Sequence, residues 1–224
     1  MMKPSTFTSG ESSSARTASE KIQNFTILSS HKTVPLAVRA LLDSPDVKVD
    51  GFIMPGHVST MIGLKPYEFV GSEYRKPAVV TGFEAQEIIL GILMILRQIS
   101  RGAAKVENAY PQVVRPEGNP KAMELLNTVF EPSDAYWRGI GNLPGTGLKL
   151  REKYREFDAE ARFKPESTGI PEPELCSCGD ILRGVKVPTE CPLFGSGCTP
   201  DSPVGPCMVS AEGSCAAYFK YGQH

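Results

Sequence analysis

The stretch AVVTGFEAQEIILGILMILRQ, residues 78–98, decides the fold. Residues 78–80 are an apolar run of the length of a buried parallel strand, Thr81-Gly82-Phe83-Glu84 makes a turn, and residues 85–98 are long enough for a helix. Leu90, Leu93, Met94 and Ile95 predict burial of that helix on more than one face. Strand, turn and helix in this order read as part of a βαβ unit.

The same grammar recurs upstream. Residues 51–54 run into Pro55-Gly56-His57-Val58-Ser59, and residues 25–28 run into Ser29-Ser30-His31-Lys32. Residues 34–42 carry apolar side chains at helical spacing, with Pro35 where a first-turn proline is tolerated, and residues 66–70 suit a short helix. The expected fold class is therefore α/β, a parallel-sheet βαβ domain with strands at 25–28, 51–54 and 78–80. Ligands of such sheets gather beyond the carboxyl ends of the strands. His31, His57 and Glu84 are then expected on one rim. The plainer alternative is that the histidines bond to turn backbone, that Glu84 is an acidic group at a helix start, and that Gly56 and Gly82 supply backbone freedom.

With 24 basic and 25 acidic residues among 224, the net charge is -1 and no basic stripe runs between aromatics, which excludes a polyanion-binding surface. The start, MMKPSTFTSG, has no apolar core of a secretory signal, and the longest apolar stretch, residues 88–96, is too short for a hydrocarbon core that needs about 20. A cytoplasmic protein is expected. Nine of the first 20 residues are Ser or Thr, so residues 1–18 read as a flexible arm. Residues 19–165 read as the α/β domain. Within it a helix is expected over 122–130, extended stretches near Val113 and Trp137, and a short amphipathic helix over 154–163 packing Tyr154, Phe157 and Ala161. Residues 165–173, with three prolines and a glycine, read as a linker into a cysteine-rich domain over 166–224.

All six cysteines, Cys176, Cys178, Cys191, Cys198, Cys207 and Cys215, fall in the last 49 residues. In a reducing compartment such a group is metal-binding or catalytic rather than cross-linked. No Cys-x-x-Cys occurs, and the only histidine nearby is His224, which argues against a zinc ribbon or finger. Widely spaced thiolates can instead surround a cubane cluster, whose corners are separate irons. Cys178-Gly179, Cys191-Pro192 and Cys198-Thr199-Pro200 put permissive or rigid backbone beside sulfur, where turn amides can donate to it. Spacing alone leaves an iron–sulfur cluster, zinc and unmetallated redox thiols open, and does not name four ligands among six.

The segments LSSHKTVPLAVRALLD, GFIMPGHVSTMIG, KPAVVTGFEAQEIILGI, KVENAYPQVV, AYWRGIG, YREFDAEARF, CSCGDILRG, PTECPLFGSGCTP and PVGPCMVSAEGSCAAYFKY, in this order over residues 20–221, resemble the HypD family of hydrogenase maturation factors. The resemblance implies two α/β domains and a small domain with a [4Fe-4S] cluster. It implies a metallocentre assembly scaffold with a redox role rather than a conventional enzyme, on which the Fe(CN)2CO unit of [NiFe] hydrogenase is built. The implied partners are a HypC-like chaperone and the cyanide-delivering HypE and HypF. Cys178, Cys191, Cys198 and Cys215 match the family's cluster ligands, while Cys176 and Cys207 sit where other members carry different residues. His57 in PGHVS and Glu212 in MVSAEG match polar residues near the family's central cleft, which Glu84 is expected to line with them.

The chain departs from the family in lacking its Cys-Gly-Gly-His and Gly-Pro-Gly-Cys-Pro-Val-Cys motifs. A fragment, a split protein with a separate N-terminal half, or a degenerate copy is implied, and the Fe(CN)2CO unit is expected to bind only together with that half. Two further classes stand beside this one. An α/β enzyme would use His57 as general base and Glu84 to orient it, with zinc in the cysteine-rich segment, although no GxGxxG, Walker or G-x-S-x-G motif names a reaction. An inactive interaction module would dock a partner through the α/β face.

Overall fold

A computed structural model describes residues 24–166 and 173–222. The expected arm at 1–18, most of the expected linker and His224 lie outside the described residues. A three-stranded parallel sheet is built from β1 (Phe52–Pro55), β2 (Ala78–Thr81) and β3 (Val106–Asn108), in the order β1-β2-β3. Helix α1 (Val34–Leu42) precedes β1, and its second residue is the expected first-turn proline. Between β1 and β2 run α2 (Gly56–Ile62), a 3-10 turn (Lys65–Tyr67) and α3 (Glu68–Ser72); α4 (Ala85–Ser100) joins β2 to β3.

The core lies on one face of the sheet, where Met54, Ala78 and Val80 pack with Leu42, Tyr67, Val70 and Val114. Pleating turns Val79 to the other face, beneath α4. There Gly91 lets the helix settle close, because a Cβ at this position would lie 2.3 Å from Thr81 Cγ2.

Two expectations about this body are corrected. Residues 25–28 are not a sheet strand: Ile27 makes one isolated bridge to Asp158, donating its N–H to the Phe157 carbonyl (2.7 Å) and accepting from Ala159 (2.9 Å). The third strand is β3 instead. Its sequence, Val-Glu-Asn, hides it from an apolar-run reading, yet both polar side chains are used: Glu107 accepts from Gln98 (2.8 Å), and Asn108 donates to the Val114 carbonyl and accepts from the Tyr110 N–H. The second correction concerns α4, which is not buried on more than one face. Only Gly91 and Gln98 are buried, Met94 and Ile95 are half-buried, and Leu90 and Leu93 are exposed.

Beyond β3, α5 (Pro120–Val129) is capped by Asn119, whose side chain accepts from the Ala122 N–H at 3.1 Å. An antiparallel hairpin of β4 (Phe130–Trp137) and β5 (Gly141–Leu150) follows, with a register shift between Ser133 and Ala135. The extended stretch near Trp137 is thus a strand. That near Val113 is a turn, in which the Val113 and Val114 N–H groups both donate to Tyr110. The helix expected over 154–163 is broken at Asp158 into a 3-10 segment (Glu152–Phe157) and α6 (Ala159–Phe163), because the Asp158 carboxylate accepts from the Glu160 and Ala161 N–H groups and starts a new helix. Phe157 is buried there, but Ala161 is exposed.

The cysteine-rich region holds α7 (Cys178–Leu182), a 3-10 turn (Pro188–Glu190), α8 (Pro206–Val209) and α9 (Ser214–Tyr221). It packs around its own cluster of Cys178, Cys198, Cys207, Met208, Cys215 and Ala216. Lys48 donates its N–H to the Arg183 carbonyl (2.8 Å), Arg183 Nε lies 3.0 Å from Asp46 Oδ1, and Arg138 donates to the Val204 carbonyl (3.3 Å), so the region is tied to the rest. Among the described residues no helix is long and apolar enough to cross a membrane.

Candidate functional site

Two sets of predicted residues are placed differently. His57 is the second residue of α2, which follows β1 directly, and Glu84 sits at the N-cap of α4 in the turn after β2, so both stand at carboxyl ends of neighbouring parallel strands. His57 is exposed and its ring lies against Phe83, with centroids 5.2 Å apart. Glu84 donates its N–H to Glu87 at 3.1 Å, which makes it part of the helix start. No hydrogen bond or ion pair joins His57 to Glu84 among the described residues, so a base held by an orienting carboxylate is not assembled there. His31 is off this rim: with residues 25–28 outside the sheet, it lies between Ser29 (Oγ to Nδ1 3.1 Å) and the Phe130 ring, beside the β4–β5 hairpin.

Gly56 is explained by crowding rather than by positive φ, which neither it nor Gly82 adopts. A Cβ on Gly56 would lie 2.4 Å from the Thr81 carbonyl oxygen, whereas one on Gly82 would meet only the end of the flexible Glu87 side chain. The close approach of α2 to the end of β2 is what sets His57 beside Phe83. Glu212 is exposed in the bend before α9, where its N–H donates to Ser210 Oγ (3.2 Å). Among the described residues it has no contact of this kind with His57 or Glu84.

The cysteines, by contrast, are brought together. All six are free thiols, and all but Cys176 are buried. Cys207 Sγ and Cys215 Sγ are 3.0 Å apart. Hydrogen bonding from Cys178 lowers the Cys207 thiol most, burial opposes it and Cys215 adds, leaving Cys207 at about 6. The same contact pushes Cys178 up, while burial, followed by Cys207, pushes Cys215 up. Burial also raises Cys176. Cys207, outside the four residues matched by resemblance, therefore lies against one of them, Cys215, and in the same buried cluster as Cys178. Its local sequence carries a signal of the same kind, since Gly205-Pro206-Cys207 sets turn backbone against sulfur as Cys178-Gly179, Cys191-Pro192 and Cys198-Thr199-Pro200 do.

Turn geometry builds this pocket. The Cys198 N–H donates to the Leu193 carbonyl (2.7 Å) and Gly195 returns to the Cys198 carbonyl (3.1 Å), a tight loop with Gly195 at φ 74. A Cβ at Gly205 would lie 2.6 Å from Cys176 Sγ, and one at Gly179 would lie 2.6 Å from the Gly139 carbonyl oxygen. Two backbone amides donate to sulfur: Ser177 to Cys191 Sγ (3.5 Å) and Val204 to Cys198 Sγ (3.3 Å). Such donation stabilises negative charge on the sulfurs. Among the described residues, no three His, Cys, Asp or Glu side chains converge as one metal ion would require.

Comparison with known proteins supplies a context. The family described as "HypD: Hydrogenase formation hypA family" matches residues 6–222. The chain is similar to the hydrogenase maturation factor HypD of Cupriavidus necator, 43% identical over 91% of this chain and 55% of the relative. The factor of the same name from Rhizobium leguminosarum bv. viciae is 47% identical over 89% of this chain and 54% of the relative. That from Rhodobacter capsulatus is 45% identical over 92% and 56%. The chain thus spans little more than half the length of these relatives.

Proposed function

The chain belongs to the HypD family, and from that premise we propose that it is the cluster-bearing part of a HypD-like scaffold for [NiFe] hydrogenase maturation. The observation that carries this reading is the set of buried free thiols in one small unit, with backbone amides donating to two of the sulfurs. Soft thiolates suit iron and sulfide. The four corners of a cubane are separate irons, so its ligands need not converge on one point as they must around zinc. Cys178, Cys191, Cys198 and Cys215 would hold a [4Fe-4S] cluster, which when bound supplies electron-transfer chemistry.

The chain's own residues bury that site and set its charge. Ser177 and Val204 direct N–H dipoles at sulfur, Gly205 leaves no room for a side chain beside Cys176 Sγ, and Gly179 lets the Cys178 segment settle against the Gly139 turn of the hairpin. His57, Glu84 and Glu212 are proposed to line the cleft where the Fe(CN)2CO substrate is assembled. The thiolates that bind this substrate would come from an N-terminal half, and a HypC-like chaperone with HypE and HypF would deliver to it in the cytoplasm.

The test is iron, zinc and acid-labile sulfide per chain after purification and reconstitution without oxygen. Four irons and four sulfides are expected, with Cys191→Ser losing both; one zinc without sulfide that persists through reconstitution overturns the reading. Cys178→Ser and Cys207→Ser are run in parallel. Loss of iron in the first and retention in the second fixes the ligand set, and the reverse moves that role from Cys178 to Cys207.

A further inference from the structure

Helix α4 is apolar around almost its whole circumference, which is the pattern of a buried helix, yet only one side of it is covered. Gly91 and Gln98 meet the sheet and Ile95 approaches Gly51. Ile88, Ile89, Ile92, Leu93, Leu96 and Ile99 are all exposed, Ile89 at 65% and Leu96 at 56%. At the helical repeat these six form one unbroken stripe opposite the sheet. The apolar surface continues past the helix: Ile53, paired in register with Val79 and so on the α4 side of the sheet, is 43% exposed on β1. β1 is an edge strand whose outer side pairs with no strand among the described residues. An uncovered helix stripe, an exposed edge isoleucine and an open strand edge form one surface too apolar to be left to water.

We propose that this surface is the seat of the part of a HypD-family protein that the chain does not span, which covers α4 and lies along the β1 edge. The occupant follows from length: the chain matches 54–56% of its relatives, so nearly half of a whole family member has to pack somewhere. This is the one large apolar face that the α/β body here leaves uncovered among the described residues. The inference rests on the function proposed above in taking that other half as a partner, and it assigns the face that receives it.

The test is co-expression of the full chain with the portion of the Cupriavidus necator HypD that it does not match, followed by light scattering and titration. A one-to-one complex is expected, weakened at least ten-fold by Ile89→Glu and by Leu96→Glu and unchanged by Glu152→Lys. Both test residues are already in solvent, and unchanged circular dichroism of each variant shows that the fold survives. Three outcomes overturn the proposal: no complex, a complex indifferent to both substitutions, or a dimer of this chain alone that the same substitutions split, which would make α4 a self-association face. Iron and sulfide are measured on the same samples. Retained cluster with lost pairing sinks only this inference, and lost cluster with retained pairing sinks only the function.

Discussion

The α/β body and the cysteine-rich unit are stabilised by different means. In the body, Tyr67, Val70, Ala78, Val79 and Val80 are wholly buried, and side-chain apolarity holds the sheet to its helices. In the unit, four of the six core residues are cysteines, and α7, α8 and α9 have only 5, 4 and 8 residues. Helices so short have little stability of their own. The body has a core complete without a ligand, whereas the core of the unit is chiefly a set of free thiols, so under the proposed function the two regions should part company when the cluster is removed.

The largest effect is therefore expected from loss of the proposed cluster. For small metal-dependent folds binding supplies on the order of 10 kcal/mol of folding energy. Stripping the proposed cluster, or Cys191→Ser, should collapse amide-exchange protection in α7–α9 while β1 and β2 keep theirs. Protection that persists in α9 would show that Met208, Ala216, Phe194 and Phe219 suffice as an apolar core, and the contrast between the regions would fail.

The next effect lies in the body. Gly56→Ala places a methyl against the Thr81 carbonyl, inside the contact that holds α2 on β2. Overpacking of this kind costs about 1–3 kcal/mol, and it should appear as a lower urea midpoint for the body with iron content unchanged. A wild-type midpoint would mean that α2 can slide away freely, and His57 would then have no fixed place beside Phe83.

The same difference decides what was legible in the sequence. β1, β2 and α1 follow from apolar runs and turn residues because burial fixes them. β3 was not legible, since its stability comes from the partners of Glu107 and Asn108, and these appear only once Gln98 and Val114 are in place. Residues 25–28 have the composition of a strand, but their partner is the Phe157–Ala159 backbone, more than a hundred residues away in sequence. The thiol cluster was legible as a cluster because cysteine is scarce elsewhere. The place of Cys207 was not, because it is defined by its contact with Cys215 in the folded cluster rather than by spacing. The exposure of α4 was beyond reach too, as periodicity records which faces are apolar and not what covers them.

A smaller effect is expected at the seam between the regions. Asp180 accepts from Lys186 and Arg183 (both 2.7 Å), and Arg183 also faces Asp46 at 3.0 Å. The Lys186 hydrogen bond, more than the two cationic charges, holds the Asp180 carboxyl below its ordinary value. A depressed folded-state value stabilises at pH above the ordinary carboxylate range and is lost as pH falls through the depressed one. Protection of α7 should thus be flat at neutral pH and fall in acid, and Asp180→Asn should remove that acid step. Arg183→Ala should cost about 1 kcal/mol, the scale of a partly exposed pair, and should loosen α7 without touching β2. An acid step that survives Asp180→Asn would place the titrating group elsewhere.

The smallest effect separates apolar from polar burial inside the body itself. Tyr67 is completely buried, and among the described residues its hydroxyl has no hydrogen-bond partner; the neighbouring Ser59 directs its own hydroxyl to the Pro55 carbonyl at 2.9 Å. Burial pushes the Tyr67 phenol up from its ordinary value, so it stays protonated through the neutral range. A buried hydroxyl without a partner carries a desolvation penalty of about 1–3 kcal/mol. Tyr67→Phe removes that penalty while keeping the ring against Met54 and Val70, so it should leave the urea midpoint equal or slightly higher. A drop of more than about 1 kcal/mol, the worth of one hydrogen bond, would mean that the hydroxyl holds Ser59 in place, and that the body's core depends on a polar contact as the cysteine unit's does.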